Sequence, residues 1–214
     1  MRRRKTKSGI FANSIVSSSI LKKIAAHYKL DFRETLTGFK WLAKIPELTF
    51  GYEEALGYCV DATSVNDKDG ISAALMLAQL TTELSRENKT LLDLLDEIWA
   101  RHGFHGTEQI SVRISDMSKI PVMLAKFRTR PPSHIGVRPV NAIDDLLAPK
   151  DGLPPTDGVR VWLDGNVRII IRPSGTETKV KCYIEVITQG VNARSDAASI
   201  IASLKPQLTA LVAR

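Results

Sequence analysis

The stretch from Arg172 to Lys179, RPSGTETK, packs two cations, hydroxyl side chains and a glycine into one short run. A loop in which Ser174, Gly175 and Thr176 follow one another can turn backbone N–H groups and two hydroxyls into a single concavity, the shape that suits an anion. Gly175 lets the backbone approach a ligand closely. Arg172 offers a planar fork for bidentate contact with a phosphate, and Lys179 adds a second positive charge. Bare composition also allows a plain polar hairpin loop with charged flanks.

A second group of interest is the pair Glu53 and Glu54, with Gly51 before it and Gly57 after it. A tight loop there would present two carboxylates as acceptors for vicinal sugar hydroxyls, although paired glutamates are also ordinary solvated surface. NDKDG (residues 66–70) has the look of a calcium loop, but the further acids and the distal glutamate of an EF-hand are missing. Asp67 and Asp69 read more economically as an acidic cap and first turn for the helix that follows. His27, His102, His105 and His134 have neither i, i+4 pairing nor cysteine partners, so no metal ligand is assigned.

These groups must be placed by regular elements. ANSIV (residues 12–16), DFRETL (31–36) and ELTF (47–50) read as strands, and Ile20, Leu21, Ile24, Ala25 and Tyr28 recur at helical spacing after a serine run. Asp69 caps a helix whose apolar stripe is Ile71, Leu75, Ala78 and Leu84. Thr90 with Asp93 forms a near capping box for another, which ends at Gly103. Strands alternating with helices predict an α/β, βαβ-type mixed-sheet domain over residues 11–105, after a basic stub of residues 1–10. Residues 106–214 predict an α+β domain. It has an alternating strand at ISVRI, a short helix over 120–128 and a proline-rich loop stretch. A hairpin turning at Asp164-Gly165 follows, then a third strand over 180–187. A final helix starts near Ser195 and is expected to kink or break at Pro206.

Composition excludes several classes. The 214 residues are 43% hydrophobic and 25% charged, the balance of a globular protein, with no run long enough to span a bilayer. The basic N-terminus is not followed by an apolar segment, so no secretory signal is visible. Two distant cysteines suit a reducing, cytoplasmic setting. The net charge of +7 falls to +2 without the five cations of the first seven residues. That leaves no clustered basic face for nucleic acid.

Four motifs in one order resemble the phosphohexomutase superfamily, the phosphoglucomutases and phosphomannomutases. TGFK (residues 37–40), FGYEEALGY (50–58) and NDKDG resemble that family's third domain, and RPSGTETK resembles the phosphate-binding loop of its fourth. The resemblance implies an isomerase of carbohydrate metabolism that moves a phosphoryl group within a phosphosugar. Here it would be the C-terminal half, with a sugar-binding domain followed by a phosphate-binding one. It implies that Lys40 is the active-site lysine, which otherwise reads as a surface residue beside Trp41. Glu53 and Glu54 become sugar contacts, Glu53 being the hydroxyl acceptor. Arg172, Ser174, Gly175, Thr176 and Lys179 become the grip on the phosphate that is not transferred. The family's serine two residues beyond Glu53 is Ala55 here, a feature of the phosphopentomutase-like branch, and the sugar preference stays open. A complete family enzyme uses magnesium and a sugar bisphosphate activator. Neither the phosphoserine motif nor a DGDGDR-like magnesium loop occurs in the sequence, so the expectation is a truncated, split or excised product, with a separate chain as one source of the missing domains. The alternative is a non-catalytic sugar-phosphate-binding or scaffold module on the same fold. The expected partner is a phosphosugar, with neither nucleic acid nor membrane.

Overall fold

The computed structural model describes residues 8–175 and 177–213, arranged as two compact units, Met1–His102 and Gly103–Arg214. The first seven residues of the stub and Thr176 lie outside the described residues.

The first unit runs β1 (Ile10–Ser14), α1 (Ile20–His27), β2 (Asp31–Thr35), α2 (Phe39–Leu42), β3 (Leu48–Glu53), β4 (Gly57–Cys59), α3 (Gly70–Arg86) and α4 (Leu91–His102). Its sheet has the order β2-β1-β3-β4, with β1 parallel to both β2 and β3, and β4 antiparallel to β3. Parallel neighbours require crossovers, which α1 and α2 provide. Leu42 and Phe39 of α2 pack with Ala12, Leu48 and Cys59 in one small core. Helix starts follow local chemistry. The Asp69 carboxylate accepts from the N–H groups of Ile71 and Ser72 at 3.0 and 3.1 Å. Thr90 and Asp93 exchange reciprocal bonds, Thr90 N–H to Asp93 at 2.7 Å and Asp93 N–H to Thr90 at 3.2 Å. The aspartate thus closes the box that a glutamate usually closes.

The apolar stripe of α3 behaves differently from its periodicity. Only Leu84 is buried, while Ile71 and Leu75 are 84% and 70% exposed. Spacing locates an apolar face, but what covers that face is a tertiary matter.

The second unit contains β5 (Phe104–Arg113), α5 (Lys119–Thr129), β6 (His134–Ile135), β7 (Arg138–Asp145), β8 (Val159–Leu163), β9 (Val167–Pro173), β10 (Lys179–Thr188) and α6 (Ala193–Val212). The sheet order is β5-β10-β9-β8-β7-β6. The stretch expected to be loop therefore contains two strands, and Pro139 is tolerated because it precedes the first β7–β8 pair, Val140 with Leu163, so its missing N–H removes no bond of that ladder. The β8–β9 hairpin turns through three residues, Asp164, Gly165 and Asn166, since Leu163 pairs with Val167. Gly165 and Asn166 both take positive φ, 77° and 57°. Helix α6 does not break at Pro206. Ala197, Ile201, Leu204, Leu208 and Val212 bury one stripe of it against the sheet on both sides of the proline, and that packing outweighs one lost backbone bond. Among the described residues no helix is long and apolar enough to cross a membrane.

The seat of α6 on β5 is close. A Cβ added at Gly106 would lie 2.9 Å from the Ala197 Cβ, nearer than real Cβ contacts come. Gly106→Ala is accordingly expected to destabilise the protein by about 1–3 kcal/mol through overpacking. A urea transition at an unchanged midpoint would show that α6 is not held at this point.

Candidate functional site

In the first unit, three parallel strands end at one edge, and their following loops converge there. The loop after β1 brings Ser14 to Ser19, the loop after β2 brings TGFK, and the turn after β3 brings Glu54, Ala55 and Leu56. The Ser18 carbonyl accepts from Asn13 Nδ2 at 2.7 Å and from the Tyr52 hydroxyl at 3.2 Å, which ties the first loop down onto the sheet.

The two glutamates have separate surroundings. Glu53 is the last paired residue of β3, and its Oε1 accepts the backbone N–H of Gly38 at 2.5 Å, so two of the sequence motifs meet in one hydrogen bond. Gly38 sits at φ 110°, a left-handed conformation that favours glycine and aims that N–H. Glu54 opens the turn and is exposed. Its Oε2 accepts from Ser17 Oγ at 3.1 Å and Ser14 Oγ at 3.3 Å, while its N–H donates to Ser17 Oγ at 3.1 Å. Ser14 and Ser17 are buried and bond each other at 2.9 Å. This serine brace under Glu54 is not legible in the sequence, where Ser17 to Ser19 read only as a helix cap. Lys40 is exposed, its Nζ 5.8 Å from the Trp41 ring centroid, with Lys44 at 5.1 Å from the same ring. Asp69 is committed to α3. Hydrogen bonds from Ser72, side chain first, and from the Ile71 backbone hold its carboxyl below the usual carboxylate range.

In the second unit the loop hangs between β9 and β10. It is closed by Ser174 N–H to the Lys179 carbonyl at 2.8 Å, beside Ile114 N–H to the Thr178 carbonyl at 3.0 Å. Strand register decides which cations gather. Lys181 lies opposite Arg172, and Lys179 opposite Arg113. Opposed residues share a face, as do residues two apart, so Arg172, Lys181, Lys179 and Arg113 form one cationic end of the sheet. The sequence motif holds only Arg172 and Lys179 of these four. Lys179 is moreover paired to Glu177 at 2.7 Å, which holds the Glu177 carboxyl below its ordinary range, the charges of Lys181 and Arg113 helping. Arg172 makes no ion pair among the described residues. Gly175 is exposed, Ser174 is half-buried, and Thr176 lies outside the described residues.

The same sheet face continues as a charged ladder. Glu185 bonds Arg168 at 2.8 Å and His105 at 3.0 Å, and Arg160 bridges Asp144 and Asp151 at 3.0 and 2.8 Å. The alternating arginines of VRVWL and VRIIIR are its only sequence signal.

Comparison with known proteins places these features in context. Residues 1–102 match the family description "Phosphoglucomutase/phosphomannomutase, alpha/beta/alpha domain III", and residues 126–199 match "Phosphoglucomutase/phosphomannomutase, C-terminal domain". A probable phosphomannomutase of Haemophilus influenzae is 43% identical over 180 residues, which is 84% of this chain and 36% of that protein. A phosphoglucomutase of Staphylococcus aureus is 31% identical over 198 residues, covering 83% of this chain and 36% of its own length. The chain thus spans about a third of the curated relatives it matches. Among solved structures, the open form of pp63/parafusin, a phosphoglucomutase from Paramecium, aligns with TM-score 0.67 at 24% identity. That alignment covers 96% of this chain and 38% of parafusin. A phosphoglucomutase/phosphomannomutase family protein of Burkholderia thailandensis aligns with TM-score 0.61 at 13% identity, covering 95% of this chain and 38% of that one. Both likenesses concern the fold.

The bond between Glu53 and Gly38 yields a direct test. In Glu53→Ala, amide exchange at Gly38 should quicken roughly 10- to 100-fold, the equivalent of losing a hydrogen bond to a charged acceptor. Exchange at the wild-type rate would mean that the two motifs are not joined.

Proposed function

Because this chain belongs to the phosphoglucomutase/phosphomannomutase family as its C-terminal part, we propose that it serves a phosphosugar mutase by binding the sugar and the phosphate that is not transferred. The observation that carries this reading is the cationic end of the second unit's sheet, where strand register aligns Arg172, Lys181, Lys179 and Arg113 beside the RPSGTETK loop. Arg172 would take the phosphate bidentately, with the Ser174 hydroxyl and the backbone at Gly175 completing the contact, and Thr176 in the same role. Lys179 would join by exchanging Glu177 for the phosphate. In the first unit Glu53 and Glu54 would accept from the sugar hydroxyls, and Lys40 would act as a point charge toward a phosphate. Holding a substrate in register in this way is what phosphoryl transfer most needs from a protein.

Magnesium and a sugar bisphosphate activator belong to this reading at the level of the complete family enzyme. Among the described residues no three His, Cys, Asp or Glu side chains are grouped to hold a metal, and Asp69 is occupied as a cap. The residues present do not fit magnesium, and no step of the proposal passes through it. The other domains, supplied on a further stretch of chain or a second polypeptide, would bring the phosphoserine. The two cysteines are free and buried, and burial pushes the Cys182 thiol up to about 12, which suits a protein of the reducing cytoplasm.

Calorimetry with glucose 6-phosphate or mannose 6-phosphate tests the grip. Arg172→Ala should cost about 2–4 kcal/mol of affinity, for phosphosugar and inorganic phosphate alike. Glu177→Gln should tighten both ligands by releasing Lys179. Parental affinity in Arg172→Ala would remove the loop from the site. Glu53→Gln should weaken the phosphosugar and leave inorganic phosphate nearly unchanged, and equal losses would make Glu53 structural. Supplied with magnesium and a bisphosphate activator, the 214-residue chain should bind a hexose phosphate without interconverting its isomers. Turnover lost on adding EDTA would contradict this division of labour.

A further inference from the structure

Helix α5 carries a groove of about 370 Å³ whose lining includes no residue of the motifs described above. Its floor is apolar, made by Val122, Met123, Phe127 and Leu211, and its rim holds Lys119, Lys126 and Arg130. Lys119 and Lys126, seven residues apart, lie on one side of the helix, and Arg130 follows just past its C-terminal end. Val122 is 56% exposed, an open aliphatic side chain between charged ones.

Among the described residues ion pairing accounts for none of these three charges, and the helix dipole accounts for only two of them. Arg128, on another side of α5, is fully used, bonding Asp145 at 2.8 Å and Asp157 at 2.7 Å. Lys119, Lys126 and Arg130 make no ion pair among the described residues. The helix dipole favours Lys126 and Arg130 near the C-terminal end, but Lys119 is the first residue of α5, at the positive end, with no acid in the first turn. Asp116 is near enough to feel Lys119, yet its carboxylate is engaged by Ser118, at 2.7 Å from the hydroxyl and 3.0 Å from the N–H. A phosphosugar would have no use for an apolar floor. An apolar trough about three helical turns long with a cationic rim matches an acidic helix laid along it.

We propose that this groove docks an acidic amphipathic helix of a partner protein, its aliphatic side chains on Val122, Met123, Phe127 and Leu211 and its carboxylates against Lys119, Lys126 and Arg130. The rim charges would speed and orient the encounter, and the floor would supply the residence time.

The probe is a fluorescein-labelled helical peptide with leucines at i, i+4 and i+7 and glutamates on both flanks, titrated by anisotropy into the full chain. Saturable binding is expected that weakens as salt is raised and falls tenfold or more in the double variant K126E/R130E, whose melting temperature should match the parent. A peptide with lysine for every glutamate controls for apolar binding that ignores charge and should not bind the parent. Absence of saturation, equal affinity for the double variant, or binding of the lysine peptide would overturn the proposal. So would a salt-sensitive dimer of the chain that K126E/R130E abolishes, which would give the groove to a second copy. Capture by phosphatidylglycerol vesicles without peptide binding would give it to a membrane surface instead.

Discussion

The pleat of the β8–β9–β10 sheet places Val167, Ile169 and Ile171 on one side and Arg168, Ile170 and Arg172 on the other. Everything in the second unit depends on that alternation being kept in register. The first side is dry, closed by α5 and α6 through Leu124, Phe127, Ile201, Leu204 and Leu208. A slip of one residue would carry every arginine of β8 and β9 into this core. It would also separate Arg172 from Lys181 and Lys179 from Arg113. The constraint that holds the fold is therefore the one that assembles the cationic end, and no separate device is needed to bring the site together.

Charges on a buried sheet face must be paired, and here they are. Arg168, Glu185 and His105 have side chains no more than 7% exposed and bond one another across three strands. Such a group adds little net stability over apolar residues of equal volume, yet losing one member is expensive because it strands the others. Its value lies in specificity, since only one register lets Glu185 meet Arg168 directly opposite. Arg172, two residues beyond Ile170 and at the sheet's end, lacks such a partner among the described residues. The contrast between spent arginines inside and an unspent one at the rim is what the proposed anion grip rests on.

Much of this was legible because the signals are local. Asp69 and Thr90–Asp93 start helices by bonds within one turn, and Asp164-Gly165 announces a hairpin with conformations those residues favour. The four motifs identified the family for the same reason, each being a short contiguous string. What could not be read was non-local. Pro206 argued for a break, and only packing on a distant sheet overrules it. The stripe of α3 argued for burial, but periodicity does not say what lies opposite. The partner of Glu53 is the N–H of Gly38 in a different loop, a choice that a linear sequence does not rank.

The two candidate groups, each within its own unit, are built on different principles, and that would bear on how each treats a ligand. The cations of the second unit stand on paired strands, where backbone hydrogen bonds fix the spacing of their Cα atoms, so on the proposed reading a phosphate would meet an ordered backbone and have only to draw Lys179 from Glu177. The glutamates of the first unit stand where strand gives way to turn, and their carboxylates are set by side-chain and loop bonds alone, Glu53 to the Gly38 N–H and Glu54 to Ser17 and Ser14. With Ala55 in place of a serine, the hydroxyls beside Glu54 come from the loop after β1. Phosphate is the same group whichever sugar bears it, so on the proposed reading a rigid array would serve every substrate of the class. Sugars differ in the directions of their hydroxyls, and a reader braced by loop hydrogen bonds can differ between relatives without disturbing either sheet. On the proposed reading, the constant part of recognition would rest on the core of the second unit, and the part that sets preference on the turns of the first.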